Sequence, residues 1–451
     1  MRWRRACRHP PAPRWCDVSD PVRDRLRRRL GADARVGLAR VWARAKQIIT
    51  TDPTGSDDED RIVDEAAERE LARHAGAMKG GVAKLAQLVA YTGRGAPDEL
   101  RRLWDAAPAA ASAAIADVVA AELGDRPERL FAHWDPTPIA AASLGQVHAA
   151  RDADGRALAV KVQYPGIADA LAADVASDGF VRRLAGQPLG HALAPAALAR
   201  LRDAIAGEVD YRAEADALER AAQAWAGDPT IAIPAVVRER SSKRVLTMVR
   251  APGVPLADLP AGDAALHAEV ALAIVRFAWG TPLNHGFLNA DPNPGNYLIE
   301  RGAEPRVWFL DFGCTVELEP EVVAADRAIW HGILDDDSFS GAERFRMALA
   351  SAGLLRQASS LTSTVHREWE AELAAPWSTH EPFRWDRHYA SRLTTATRDV
   401  LAAGGLGLPP SQVLLWRQRM GVAAVLGMLE PRAHFRRALL ATLGTGRRAL
   451  R

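Results

Sequence analysis

Lysine is scarce in this chain of 451 residues. Of 58 basic residues five are lysine (Lys46, Lys79, Lys84, Lys161 and Lys243), so 53 are arginine. With so much alanine beside it, this is the bias of a GC-rich genome, and it makes the position of each lysine informative. An excess of either charge is also lacking: 58 basic against 56 acidic residues leave +2. That balance gives no electrostatic footprint for nucleic acid, and none is expected as a partner. Cys7, Cys16 and Cys314 are too few and too scattered for a disulfide framework or a zinc site. A reducing, cytoplasmic setting follows. No run approaches the roughly 18 apolar residues that a spanning helix needs. Residues 1–16 are rich in Arg and Pro without an apolar h-region, so they do not read as a secretory signal.

Apolar residues make up 48% and charged residues 25% of the chain, the composition of a globular protein with sizeable cores. At about 150 residues per domain, the length suggests roughly three packed units. Residues 1–60 read as a basic tail, a partly amphipathic helix carrying Val36, Val41, Trp42, Ala45, Ile48 and Ile49, and the acidic linker TDPTGSDDED. Residues 61–127 read as Ala-rich helices. Within 128–250, Asp154-Gly155 signals a hairpin between GQVHAAR and ALAVKVQ. One helical stretch is expected from about Pro195 to Trp225, with proline at its first position. Two strands, IPAVVRER and RVLTMV, are expected around Ser241-Ser242. From Gly262 the chain reads as mainly helical, interrupted at 289–295 and by the strands YLIE and RVWFLDF. The order is helices, a small antiparallel sheet with one inserted helix, then a helical lobe (251–350) and a helical C-terminal region (351–451).

Four features carry chemistry. Lys161 lies in the apolar strand pattern LAVKVQ, where a half-buried ammonium needs a partner or a ligand. Ala140-Ala141-Ala142-Ser143-Leu144-Gly145-Gln146-Val147 stands at the G-x-G-x-x-G-x-V phase of a kinase phosphate loop, 14 residues before that lysine. Only Gly145 is a glycine there, so the loop should meet nucleotide differently from an ordinary kinase loop. Asp291 and Asn296 have the D-x-x-x-x-N spacing of a catalytic loop: the aspartate orients or deprotonates an attacking oxygen, and the asparagine ligates Mg²⁺. Asp311, in Asp311-Phe312-Gly313 after the strand, is placed to hold Mg²⁺ between phosphates. Each alone has a bland reading: an exposed strand lysine, an alanine turn, an Asx-turn or a chance tripeptide. Their order and intervals are those of a kinase. A helix carboxylate should hold the lysine, with Glu208, Asp210 and Glu214 as candidates. On one helix Glu208 and Glu214 stand about 600° apart and cannot both face Lys161; Glu219 reads as part of a solvated face.

Together, PIAAASLGQVHAA, AVKVQYPG, EVDYRAEA, ADPNPGN and LDFG resemble the UbiB/AarF family of atypical kinase-like ATPases, from about Glu70 to about Ala350. The resemblance implies an α+β, two-lobed protein-kinase-like fold with helical additions at both ends. It implies ATP or ADP with Mg²⁺ as cofactors. It makes Lys161 and Glu214 the strand–helix pair, Asp291 the catalytic aspartate, Asn296 and Asp311 the metal ligands, and Ala140 to Ser143, with Gly145 and Val147, the nucleotide loop. It also implies a K-x-G-Q helix over the site, matched here by Lys84-Leu85-Ala86-Gln87 with Ala86 replacing glycine. Glu208 and Asp210 match the E-x-D motif expected to meet that helix. Asn289 stands where many bacterial members have histidine.

The chain has no A-P-E string and no room for a long activation loop after Gly313 before the helix start EPEVVAADRAIW, so a protein substrate is not the leading expectation. The expected function is Mg-nucleotide binding and hydrolysis in support of isoprenoid quinone or lipid metabolism, with a lipid or quinone precursor as partner. A small-molecule kinase of the aminoglycoside or choline type, a protein kinase and a nucleotide-sensing scaffold are the alternatives. Phe435, Leu439 and Leu443 beside Arg436, Arg437, Arg447 and Arg448 have two readings: an amphipathic helix making peripheral contact with the inner face of a membrane, or a terminal helix packed on the lobe.

Overall fold

The computed structural model describes residues 110–142, 144–176, 194–335, 338–355 and 364–444. All of them belong to the compact unit Leu71–Arg451. The tail, the acidic linker, Lys84, Gln87 and Ser143 lie outside the described residues.

Helix α1 (Ser112–Leu123) leads into strands β1 (His133–Ala141), β2 (Gly145–Arg151) and β3 (Ala157–Gln163). Helices α2 (Ile167–Val175), α3 (Pro195–Gly207) and α4 (Tyr211–Ala224) follow. After the short β4 (Ile231–Ala232), strand β5 (Val245–Val249) completes an antiparallel sheet in the order β1-β2-β3-β5. The expected hairpin is present: Gly155, at φ 79°, turns β2 back onto β3. Leu158, Val160 and Val162 alternate along β3 and are fully buried, with Ile115 and Val119 of α1 in the same core. The period of two turns Lys161 to the opposite face of the sheet. There it pairs across the ladder with Val147 on one side and Leu246 on the other.

The second lobe begins at β6 (Val254–Pro255) and α5 (Ala264–His285), followed by β7 (Phe287–Asn289), β8 (Tyr297–Glu300), β9 (Arg306–Phe309) and β10 (Thr315–Glu317). Helices α6 (Pro320–Ile333), α7 (Ser338–Ser351) and α8 (Thr364–Ser378) come next. Then follow β11 (Phe383–Arg384), α9 (Arg387–Ala402), α10 (Val413–Leu429), β12 (Arg432–Ala433) and α11 (Phe435–Thr442). Strands β6, β8 and β9 form a second small sheet that β4 joins in parallel. Strands β7 and β10 pair next to the catalytic loop. Trp279, Trp330, Trp377 and Trp385 form a buried edge-to-face cluster with Phe435 beneath them. Arg419 lies over Trp279 and Trp330, pairs with Asp326 at 2.9 Å and donates to the carbonyl of Ala278.

Four expectations need correction. The stretch from Pro195 to Trp225 is two helices. The chain leaves helical geometry at Asp210 (φ −110°, ψ 96°), whose carboxylate caps α4 through the Arg212 N–H. The helical-wheel argument about Glu208 and Glu214 assumed one continuous helix, and that premise fails; the glutamate that bonds Lys161 is Glu214. Between β3 and β5 the described residues contain three helices rather than one. IPAVVRER (233–240) is not a strand: the residues that pair with β9, Ile231–Ala232, lie just before it, Val236 makes only an isolated bridge to Met248, and residues 238–240 form a 3-10 turn. Pro234, which has no N–H to donate, interrupts it. Separately, α11 puts Phe435 and Leu439, with Leu443 just beyond it, into the core, and buried Arg436 donates to the carbonyls of Trp377 and Leu334. Of the two readings of that segment the packed one holds, because its apolar face is already covered; Arg447 and Arg448 lie outside the described residues.

Candidate active site

The site is built where β3, α4, the 289–296 segment and the 311–313 turn meet. Lys161 donates to both carboxylate oxygens of Glu214, at 2.7 and 2.9 Å, and to Asp311 Oδ2 at 3.0 Å. It lies 4.9 Å from the ring centre of Tyr211, at the start of α4. Burial works against the ammonium, but the Asp311 and Glu214 carboxylates outweigh it and hold Lys161 well above its ordinary value. Burial pushes Glu214 up to about 7, with Lys161 pulling it down and Asp311 adding to the rise. Burial also drives the Tyr211 hydroxyl upward, so it stays neutral.

Glu214 reaches the lysine because Asp210 starts a fresh helix and places it in the first turn. The same break brings Glu208 inward, where it is buried. A Cβ on Gly313 would stand 3.3 Å from Asp311 Oδ1, 3.5 Å from Glu214 Oε2 and 3.8 Å from Glu208 Cγ. Three acidic side chains thus converge on one glycine. Asp210 is half exposed and bound to Arg212, which holds its carboxyl below the usual range. Glu219 lies on the exposed face, as expected, paired with Arg238.

The catalytic-loop segment is organised from both ends. Asn289 donates to the Asp311 carbonyl at 2.8 Å and accepts from the Asp291 N–H at 3.2 Å. An asparagine at this position therefore links the two aspartate segments. Asn293 accepts the Gly295 N–H, and Asn296 donates to the Asp291 carbonyl at 3.3 Å. Asp311 Oδ1 accepts the Gly313 N–H at 3.0 Å. Asp291, Asn296 and Asp311 line one small pocket together with Asn289 and Gln418.

The alanine loop is a tight hairpin. Ala140 and Ala141 end β1 opposite Val147 and Gln146. The Ala142 and Gly145 N–H groups each donate to the other's carbonyl, at 2.9 and 3.3 Å. Those two donors are engaged inside the hairpin and do not face a phosphate. Gly145 is needed for a reason other than loop freedom. A Cβ there would lie 2.1 Å from the Val162 carbonyl oxygen, so glycine permits the close approach of β2 to β3 beside Lys161.

Sequence reasoning missed the contribution of α10. Arg417 Nη2 lies 3.5 Å from Asp291 Oδ1, and Gln418 donates to the Asn289 carbonyl at 3.1 Å. In a chain with 53 arginines no local signal could single out Arg417.

The profile of the ABC1 atypical kinase-like domain matches residues 102–344, more than half of the chain. The protein thus falls into a class, the atypical kinase-like domains, and the chain belongs to the ABC1 family, which is the UbiB family. Among its relatives, the mitochondrial atypical kinase COQ8B of Rattus norvegicus is 34% identical over 177 residues, covering 39% of this chain and 33% of the relative. The mitochondrial atypical kinase COQ8 of Saccharomyces cerevisiae is 28% identical, covering 53% and 48%. The uncharacterized protein Rv0647c of Mycobacterium tuberculosis is 29% identical over 364 residues, covering 77% and 72%. The chain thus spans about a third of the length of the COQ8B relatives. The solved complex of Rv3197 with erythromycin, from Mycobacterium tuberculosis, superposes with a TM-score of 0.59 at 24% identity, over 87% of this chain and 100% of that one; it shares the fold. Among the described residues no helix is long and apolar enough to cross a membrane.

Proposed function

We propose that this chain binds Mg-nucleotide, ATP or ADP, and hydrolyses ATP in support of isoprenoid quinone or lipid metabolism, the phosphoryl acceptor being water or a small molecule of that chemistry. The observation that carries the reading is Lys161, held at 2.7 to 3.0 Å by Glu214 and Asp311 beside a pocket shared by Asp291 and Asn296.

The residues fit this chemistry. Mg²⁺ in phosphoryl-transfer sites takes one or two carboxylates plus substrate phosphates and waters. Asp311 and Asn296 supply such a partial set, and among the described residues no group of three His, Cys, Asp or Glu would hold a metal without the nucleotide. A metal bound there would offset phosphate charge. Glu214 keeps the Lys161 ammonium in place and charged, so it can meet phosphate oxygens as a compact cation. Asp311 is shared: its Oδ2 serves Lys161 while Oδ1 is fixed by the Gly313 N–H. Asp291, anchored at its own N–H by Asn289 and at its carbonyl by Asn296, orients the attacking oxygen and takes its proton. The hairpin-bound donors of Ala142 and Gly145 leave the loop with fewer phosphate contacts than a glycine-rich loop offers.

Names of the COQ8 relatives support the quinone link, and contact with the inner face of a membrane, made by a part of the chain other than the packed face of α11, is part of the proposal. The test is ATP hydrolysis by the purified full chain, with and without anionic liposomes and quinone precursors. Mg-dependent hydrolysis stimulated by either addition is expected. Hydrolysis indifferent to both removes the lipid and quinone link, and a protein that does not bind MgATP removes the reading as a whole.

A further inference from the structure

We infer that Arg417 is a positioning residue for Asp291, holding the catalytic-loop carboxylate from helix α10; this rests on the reading of Asp291 as the group that orients the attacking oxygen.

Three contacts from one face of α10 fall on consecutive parts of the loop. Gln418 donates to the carbonyl of Asn289 at 3.1 Å. Arg417 Nη2 stands 3.5 Å from Asp291 Oδ1. Gly421, one turn further on, is so close to the next residue that a Cβ there would lie 2.3 Å from Pro292 Cγ. Residues i, i+1 and i+4 of a helix fall within an arc of about 100°, so this is a continuous seat for the segment 289–292.

The charge needs an explanation of its own. Arg417 is 7% exposed, and burying a guanidinium is costly unless the charge is used. Its Nη1 approaches Cys314 Sγ at 3.5 Å, and its Nε is buried with no hydrogen-bond partner. Burial works against its charge, while Cys314, Asp291 and Glu208 favour it, and the guanidinium stays protonated. The sequence Asp291-Pro-Asn-Pro-Gly-Asn296 contains no cation, so the cation facing this carboxylate comes from another part of the chain. At 3.5 Å the pair lies beyond hydrogen-bond length. The guanidinium thus orients the carboxylate by charge.

The test uses the full chain as wild type, Arg417→Met, Arg417→Lys, Asp291→Asn and the double variant Arg417→Met/Asp291→Asn, with thermal melts to verify folding. MgATP binding is measured by calorimetry and hydrolysis at saturating nucleotide. Misplacing the carboxylate should lower kcat by roughly 10- to 100-fold. MgATP affinity should stay within about twofold, because an interaction made only in the transition state lowers kcat without weakening binding. Arg417→Lys should recover part of the loss. In the Asp291→Asn background, removing Arg417 should cost less than about twofold more, since residues acting as a unit are not additive. A full additive loss, or affinity that falls in step with kcat, overturns the assignment. Should Arg417→Met fail to fold, Arg417→Lys decides: wild-type kcat overturns the assignment, and reduced kcat with unchanged affinity supports it. Wild-type protein that binds MgATP without hydrolysing it refutes the hydrolysis reading instead. Crystal structures of wild type and Arg417→Lys then decide, and an Asp291 carboxylate that keeps its place overturns the assignment.

Discussion

Replacing Lys161 with methionine isolates what the ammonium does for Glu214. In Lys161→Met the glutamate stays in the first turn of α4, its side chain 1% exposed, and loses bonds of 2.7 and 2.9 Å. A buried carboxyl without its cation keeps its proton to higher pH. In the wild type, burial, offset in part by Lys161, already pushes Glu214 from an ordinary 4.5 to about 7. A carboxyl raised in the folded state contributes stability that is complete below its unfolded value and is lost as pH rises through the folded one. Both proteins therefore lose stability together between pH 4.5 and about 7. Above that only the variant goes on losing it, by up to about 1.4 kcal/mol per pH unit. From about pH 7 to about pH 9 the gap widens by about 3 kcal/mol, in line with the ~3–5 kcal/mol cost of removing one partner from a buried pair. The elevated Lys161 does not distort this window, because its own contribution is lost only above its ordinary 10.5. Thermal melts of the wild type, Lys161→Met and Lys161→Met/Glu214→Gln across this range provide the assay. The gap between wild type and the single variant should widen with pH, and the double variant should show no such widening. A gap equal at both ends of the range refutes the coupling of Lys161 to Glu214.

Gly145→Ala should destabilise the fold by about 1–3 kcal/mol, since the new Cβ meets the Val162 carbonyl and forces β2 from β3. It should also weaken MgATP binding by moving Lys161; an unchanged Tm refutes the close approach. Asp311→Asn removes a charged metal ligand and one partner of Lys161. Calorimetry should show MgATP affinity down by roughly tenfold, the ~1.5 kcal/mol of a charge-assisted bond, and unchanged affinity counts against the metal assignment. Ala142→Gly should loosen the hairpin and free the Ala142 and Gly145 donors, shifting the ATP/ADP preference measured by competition. Identical selectivity shows that the alanine only packs.

The parts of the fold legible in the sequence are those written in local patterns. β2, its turn and β3 follow from period-two alternation around Asp154-Gly155, and β8, β9 and the start of α6 were similarly marked. What escaped was decided by capping or by distant partners. The break between α3 and α4 depends on Asp210 accepting from the Arg212 N–H, a choice that competes with helix continuation and leaves no periodic trace. That one residue brings Glu208 into the acidic cluster at Gly313. The amphipathic pattern of α11 was correctly seen, but amphipathicity alone does not say whether lipid or a tryptophan cluster covers the apolar face. Here Trp377 and Trp385 do.

The site divides the same way, and charge chemistry shows why. Lys161, Glu214, Asp291, Asn296 and Asp311 are spaced along the chain at intervals that phosphoryl transfer imposes, so order and spacing suffice to nominate them. The structure brings Lys161, Glu214 and Asp311 into direct contact and lines one pocket with Asp291, Asn296 and Asp311. Arg417 obeys no such spacing, because its place is set by how α10 packs on the loop. Its residue type is no help either: lysine at position 161 stands out in a chain with five lysines, whereas an arginine among 53 is background. The same compositional bias that marks one cation of the site conceals the other. The two are not interchangeable: Lys161 presents a compact charge to three carboxylate oxygens. Arg417 spreads a planar charge between Asp291 and Cys314. Geometry, and not composition, therefore had to supply the second cation.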